Sequence, residues 1–146
     1  MSFQVQEHRT AFTAQQVAAT EHIPAKLVAK TVVAWADGRL ILLVLPASHQ
    51  VDLARMNQAL GVQATRLAHE AEFVDAFPDC EVGALPPFGN LYDLPVYVDK
   101  SLAEDEVITF PAGTHTETMS LRYADYAGLV RPTIVEFARP RLEYVP

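Results

Sequence analysis

Leu27-Val28-Ala29-Lys30-Thr31-Val32-Val33-Ala34-Trp35-Ala36-Asp37-Gly38-Arg39-Leu40-Ile41-Leu42-Leu43-Val44-Leu45 is the stretch that decides the fold. Its first arm, Leu27 to Ala36, is apolar and rich in β-branched residues, which reads as a strand. Asp37-Gly38 is a two-residue hairpin signal, because a tight turn matched to strand twist needs residues that tolerate positive φ. The second arm, Arg39 to Leu45, is aliphatic at both parities and not only at alternate positions. A strand of that kind is buried on both faces. The remainder of the chain must therefore cover two sides of this hairpin.

Working outward, Phe3, Val5 and Glu7 predict a short first strand. Thr13-Ala14-Gln15-Gln16 has the pattern of a capping box, with Val17, Ala18 and His22 on one face of the helix that follows, and Pro24 ending it. After the hairpin, Asp52 to Leu60 carries Leu53, Met56 and Leu60 on one helical stripe, and Gly61 suits the left-handed position after a helix. Val62 to Leu67 reads as a strand, and Glu70 to Phe77 as a short helix stopped by Pro78. Gly83-Ala84-Leu85-Pro86-Pro87-Phe88-Gly89 cannot be a regular element, since its prolines and glycines impose an unusual path. Pro95 to Asp99, Val107 to Pro111 and Thr116 to Leu121 read as strands, with a turn at Ala112-Gly113. Tyr123 to Leu129 reads as a helix, Thr133 to Phe137 as a last strand, and the tail beyond as frayed. Hairpins mixed with segregated helices predict a mixed α/β, α+β-like fold. The expectation is a single domain over residues 1–146, with a curved, largely antiparallel sheet and flanking helices.

The chain has 146 residues, half of them hydrophobic and a fifth charged, enough apolar side chain to offset the entropy of ordering a domain. Its longest apolar runs, near Thr31–Ala36 and Leu40–Pro46, fall far short of the roughly 20 residues a membrane helix needs. The first residues show no basic segment leading into an apolar one, so no secretory leader is expected. A lone cysteine, Cys80, cannot pair within the chain, and a reducing cytoplasm is the expected compartment. The net charge is −7, unevenly spread: +2 over residues 1–66, −10 over 67–121 and +1 over 122–146. That balance excludes a protein that coats long nucleic acid through phosphate neutralisation, but leaves room for a few phosphate contacts on the N-terminal half.

Several chemistries are missing. His8, His22, His49, His69 and His115 form no pair at metal-ligand spacing, and there is no phosphate-binding glycine fingerprint and no nucleophile elbow. Cys80 lies between Asp79 and Glu81, whose charge disfavours a thiolate. No metal and no cofactor is implied. Three features could carry chemistry. Lys30 shares a strand face with Val28 and Val32, where an ammonium is costly unless an anion or carbonyl meets it; it could equally be an edge lysine that blocks sheet-to-sheet pairing. The Gly83–Gly89 loop could present backbone N–H groups to an anion or oxyanion, or be only a rigid connection. Gly113-Thr114-His115-Thr116-Glu117-Thr118 concentrates hydroxyls and an imidazole at a strand end, as recognition of a small polar group requires, or is a polar turn. Tyr92, Tyr97, Tyr123 and Tyr126 read as core or rim.

These features occur in an order that resembles the YbaK family, the prolyl-tRNA synthetase-associated editing domains. The resemblance rests on Thr13-Ala14, Ala29-Lys30-Thr31-Val32-Val33, Asp37-Gly38, Asp52-Leu53 with Ala59-Leu60-Gly61, Gly83, Pro86 and Gly89, Pro95 to Asp99, and Ala112-Gly113 followed by Leu121 and Asp125. It covers about residues 3–131. It implies a compact mixed α/β domain that hydrolyses the ester of a mischarged transfer RNA, acting in trans to remove a small wrong amino acid. The partners implied are the tRNA acceptor end and a synthetase.

The same resemblance assigns Lys30 to the family lysine, Gly83 to Gly89 to the family glycine loop, and Gly113 onward to the second glycine turn. On that basis Lys30 holds the terminal phosphate or the carbonyl side of the substrate. Backbone N–H groups near Gly83 and Gly113 stabilise the oxyanion. A water is positioned by the ribose hydroxyl with His115 or Thr118, and Thr31, Pro86, Pro87, Phe88, Gly89 and Thr114 line the substrate's place. Thr118 stands where some members carry aspartate, and the acidic balance departs from the basic surface expected of a tRNA binder. The rival class is a noncatalytic module that binds a nucleotide, an aminoacyl group or a protein in the same pocket.

Overall fold

The computed structural model describes residues 3–7, 16, 18–19, 22–81 and 84–141. In chain order the elements are β1 (Phe3–Glu7), β2 (Ala29–Ala36), β3 (Arg39–Pro46), β4 (His49–Val51), α1 (Leu53–Leu60), β5 (Thr65–Leu67), α2 (Glu70–Phe73), β6 (Val96–Asp99), α3 (Lys100–Ala103), β7 (Val107–Pro111), β8 (Glu117–Arg122), α4 (Tyr123–Val130), β9 (Thr133–Val135) and β10 (Ala138–Pro140). The helix expected over Thr13 to His22 lies largely outside the described residues; of it, Gln16, Ala18 and Ala19 are helical.

The hairpin forms as read. Ala36 pairs with Arg39, and both Asp37 (φ 48°) and Gly38 (φ 85°) take the positive φ that a two-residue turn demands. The Asp37 carboxylate also accepts from the N–H groups of Gln63 and Ala64, so the same residue pins the approach to β5. At α1, Asp52 accepts from the Arg55 N–H, and Gly61 closes the helix at φ 64°.

Among the described residues three hydrogen-bonded sheets result: β5-β2-β3-β6-β9, β1-β8-β7 and β10-β4. The β3–β6 and β6–β9 pairs are parallel and the other five are antiparallel, so the architecture is mixed and mostly antiparallel, as expected. A single parallel bridge from Val28 to Thr109 joins the first two sheets.

The five-stranded sheet has a core on each face. Ala29 and Val33 of β2, with Leu42 and Val44 of β3, pack against Phe77, Leu85, Phe110 and Tyr126. Ala34 and Ala36, with Ile41, Leu43 and Leu45, pack against Met56, Phe137 and Ala138. This double burial is why β3 is aliphatic without alternation.

Two expectations are corrected. The last strand ends at Val135, and the chain does not fray after Phe137: β10 pairs with β4, an element missed in the reading. The cause is Asp99, only 4% exposed, whose Oδ1 accepts from the N–H groups of both Phe137 and Ala138 at 2.8 Å. Its Oδ2 accepts from the N–H and the hydroxyl of Ser101 at the start of α3, also missed.

Candidate functional site

The prolines and glycines around Gly89 and the turn at Gly113 build one concavity. A cavity of about 450 Å³ is walled on one side by Pro86, Phe88, Asn90, Leu91 and Tyr92, and on the other by Phe110, Ala112, Gly113 and Met119. Asp79, Cys80 and Leu129 complete the lining. The two walls are tied by backbone: the Gly113 N–H donates to the Ala84 carbonyl (2.9 Å) and the Glu81 N–H to the Gly113 carbonyl (2.7 Å). Gly113 has φ +97°, a conformation that side chains resist. Gly89 is required for space, because a Cβ there would lie 2.5 Å from Val96 Cγ2 and 2.6 Å from the Leu94 carbonyl oxygen.

Aromatic contacts fix the loop. Phe88 meets Phe110 and Tyr126 edge-on, with ring centroids 5.5 and 5.7 Å apart. The buried Tyr126 hydroxyl donates to the Pro87 carbonyl at 2.7 Å, and burial pushes its ionisation far above the ordinary phenol range. With Tyr126 holding Pro87 from behind, the loop's next N–H groups, those of Phe88, Gly89 and Asn90, find no acceptor among the described residues. They open a short 3-10 turn, whose first N–H groups have no partner within the turn.

A second cluster occupies the wall. The Tyr92 hydroxyl donates to Asp79 Oδ1 at 2.8 Å and lies 3.2 Å from Cys80 Sγ. Burial raises the Cys80 thiol, and the Asp79 charge adds to this against the bond from Tyr92. The Tyr92 phenol is raised strongly by burial and by its bonds to Cys80 and Asp79. Neither group is a nucleophile at neutral pH.

The residues singled out from the sequence divide. Pro86, Phe88 and Gly113 line the cavity. Pro87 and Gly89 stand behind it as supports, and Gly83 lies outside the described residues. The Gly113 N–H, expected as an oxyanion donor, is taken by Ala84; Gly113 shapes the wall, and the open donors are on the other loop. Thr114 bonds to Glu117, and His115 meets Glu81 through its N–H and Nε2, both at 3.4 Å. Thr118 is 1% exposed within β8, between β1 and β7. Among the described residues, Thr114, His115 and Thr118 do not line the cavity.

Lys30 departs furthest from expectation. It pairs with Leu45, and β2's alternation sets it with Val32, Ala34 and Ala36, on the sheet face opposite the cavity. It is half-buried without an ion pair or hydrogen bond among the described residues, and burial, then the nearby Arg141 charge, lowers its pKa to about 8. Thr31, one residue on, is on the cavity side of the sheet; its buried hydroxyl has no partner among the described residues. Asp79, Asn90, Tyr92, Met119 and Leu129 were missed as wall residues, because the cavity gathers them from four separate stretches. Among the described residues no group of His, Cys, Asp or Glu side chains could hold a metal ion, and no helix is long and apolar enough to cross a membrane.

Known proteins resemble this chain in sequence or in fold. The chain is 37% identical over 101 residues to the multifunctional Ser/Thr-tRNA deacylase ProXp-y of Escherichia coli (strain K12), covering 68% of this chain and 59% of that protein. It thus spans about three-fifths of the length of that curated relative. It is 27% identical over 89 residues to a proline--tRNA ligase of Bacillus mycoides (strain KBAB4), 61% of this chain and 16% of the ligase. Among solved structures, the hypothetical protein APE2540 superposes with a TM-score of 0.85 at 16% identity, covering 95% of this chain and 93% of that one. A candidate trans-editing enzyme for prolyl tRNA synthetase superposes at 0.81 and 19% identity, covering 94% of this chain and 87% of that one. The family described as the aminoacyl-tRNA editing domain matches residues 8–129, and to that family this chain belongs.

Proposed function

We propose that the protein hydrolyses the ester bond of mischarged aminoacyl-tRNA, acting in trans on a small noncognate amino acid at the acceptor end. The observation that carries this reading is the cavity between the Pro86–Phe88 loop and the Gly113 turn, in a chain of the editing family. Its volume is in the range of small-ligand sites and takes an aminoacyl group with part of its ribose. Leu91 and Leu129, 69% and 47% exposed at its rim, offer an apolar surface to the terminal base.

The chemistry follows from what the walls supply. An aminoacyl ester is already activated, so a positioned water and stabilisation of the oxyanion suffice. The N–H groups of Phe88 and Asn90, both in the cavity wall, are the donors offered to the oxyanion. Cys80 and Tyr92 are held in their neutral forms, which favours direct attack by water over a covalent intermediate. Lys30, with Arg141 as a second positive charge near it, is offered to a phosphate of the tRNA strand from the other side of the sheet. The −10 middle of the chain fits a protein that grips only the end of its tRNA.

The test is a deacylation panel of seryl-, threonyl-, alanyl- and cysteinyl-tRNAs on noncognate tRNA bodies, with rapid quench and intact-protein mass spectrometry. Expected are turnover on at least one member and no acyl-enzyme adduct. No turnover on any member, with adenosine-like ligands still bound, would leave the noncatalytic module as the function.

A further inference from the structure

Asp79 is the one formal charge among the described residues lining the cavity. The rest of the wall is apolar or neutral, so this carboxylate sets the sign of the field inside. It is also aimed. Phe77, 2% exposed, meets the Tyr92 ring edge-on at 4.5 Å between centroids and holds it in place. The Tyr92 hydroxyl donates to Oδ1, and the Cys80 thiol lies 3.7 Å from the same oxygen. The second oxygen, Oδ2, accepts no hydrogen bond among the described residues, and no cation there pairs with the acid. The Cys80 Sγ and the Asp79 carbonyl oxygen stand 3.8 and 3.9 Å from where a Cβ on Gly113 would be, which sets the Asp79-Cys80 segment against the turn that forms the facing wall.

We propose that Asp79 determines specificity by receiving the α-ammonium of the aminoacyl group through its open oxygen; this rests on the deacylase reading above. The ligand chemistry selects itself. Once esterified to ribose, an amino acid has lost its carboxylate and keeps one positive charge, on the α-nitrogen. An apolar cavity with one oriented negative charge complements that monocation. Esters whose α-nitrogen is acylated lack the charge and are refused, because the carboxylate would be left facing a neutral group. A cationic α-substituent also draws electrons from the ester carbonyl, so the bound form is the more reactive one.

The experiment separates this proposal from the deacylase reading. Non-hydrolysable adenosine amides carrying seryl, or glyceryl with an α-hydroxyl in place of the α-amine, are titrated by calorimetry into the wild type, Asp79→Asn and Tyr92→Phe. Deacylation of the corresponding tRNA esters is measured in parallel. The wild type is expected to favour the amine over the hydroxyl by about tenfold, the value of a charge-assisted hydrogen bond at a partly open site. Asp79→Asn loses that preference with its melting temperature kept, and Tyr92→Phe retains part of it because the charge remains while its aim is lost. Equal binding of amine and hydroxyl by the wild type, or an undiminished preference in Asp79→Asn, overturns the proposal even if deacylation is robust. An amine preference abolished by Asp79→Asn in a protein without deacylation supports it while sinking the deacylase reading. Failure of every amide to bind overturns the proposal, and together with absent deacylation it overturns both.

Discussion

The two faces of the five-stranded sheet are covered by different kinds of structure. On one face, Phe88, Phe110, Tyr92 and Tyr126 gather beneath two bends, at Gly89 and Gly113, and leave a cavity open between them. On the other, α1 and the β10–β4 pair close over Ile41, Leu43 and Leu45, and the buried Asp99 holds the C-terminal strand in place with Ser101. The first face sets a cavity over a buried core that includes Phe110 and Tyr126, with backbone that only glycine accepts. The second uses complete hydrogen bonding of a buried charge. The difference separates a surface built to receive something from one built to hold the chain together. It also leaves Lys30, half-buried on the second face, as the feature that does not fit either description cleanly.

Breaking the second face should have the largest effect on stability. Asp99→Ala strands two buried N–H groups and frees β10, at a cost of about 3–5 kcal/mol in denaturant unfolding. A loss below about 1 kcal/mol would show that the tail is held by packing alone. Gly89→Ala forces a Cβ against the Leu94 carbonyl and Val96, costing about 2–3 kcal/mol by overpacking and shifting the loop donors, so deacylation falls along with the melting temperature. Gly113→Ala meets ordinary contacts at 3.8 Å and beyond, so its cost is the strain of φ +97°, about 1–2 kcal/mol. It should reduce activity by narrowing the cavity rather than by removing a donor. Tyr126→Phe removes the bond to the Pro87 carbonyl, with a loss of about 1 kcal/mol, and faster exchange of the Leu91, Tyr92 and Leu94 amides, which bond back to the Phe88 and Gly89 carbonyls, would mark the loosened loop.

The smallest effect belongs to Lys30 and has a sign. Its pKa falls from 10.5 to about 8 because burial, then Arg141, disfavours the ammonium. Between those values the unfolded chain binds the extra proton, so stability rises with pH across roughly 8 to 10.5 and the penalty is fully present below 8. Lys30→Met should therefore be slightly more stable than the wild type at pH 7, with the advantage fading over that window in parallel melts. If Lys30 binds phosphate, the same variant weakens tRNA binding and flattens its salt dependence. A variant that is more stable and binds tRNA as well as before would leave the edge lysine as its whole explanation.

Much of this was legible locally. The positive-φ pair Asp37-Gly38, the left-handed Gly61 after α1, and the alternation that set Lys30 with Val32 are rules over a few neighbouring residues, and each appears in the fold. The β10–β4 pair was not, because the buried carboxylate of Asp99 reaches a segment 38 residues away through backbone N–H groups that carry no sequence signature; the start of α3 is a local cap, Asp99 on Ser101, passed over because Asp99 was read only as the end of a strand. Asp79 and Tyr92 were likewise invisible as a pair: each alone is ordinary, and their hydrogen bond spans 13 residues.

By itself the sequence determined a hairpin with two buried faces, two glycine-bearing bends, and a likeness to one family along most of its length. Only the tertiary structure decided on which face the cavity opens, and hence that Lys30 and the bends lie on opposite sides of the sheet. The physical reason is symmetry in the strand itself. A strand buried on both sides carries the same aliphatic code on each, so alternation sorts residues into two sets without saying which set meets a cavity. That is settled by the loops and helices that distant parts of the chain bring over each face.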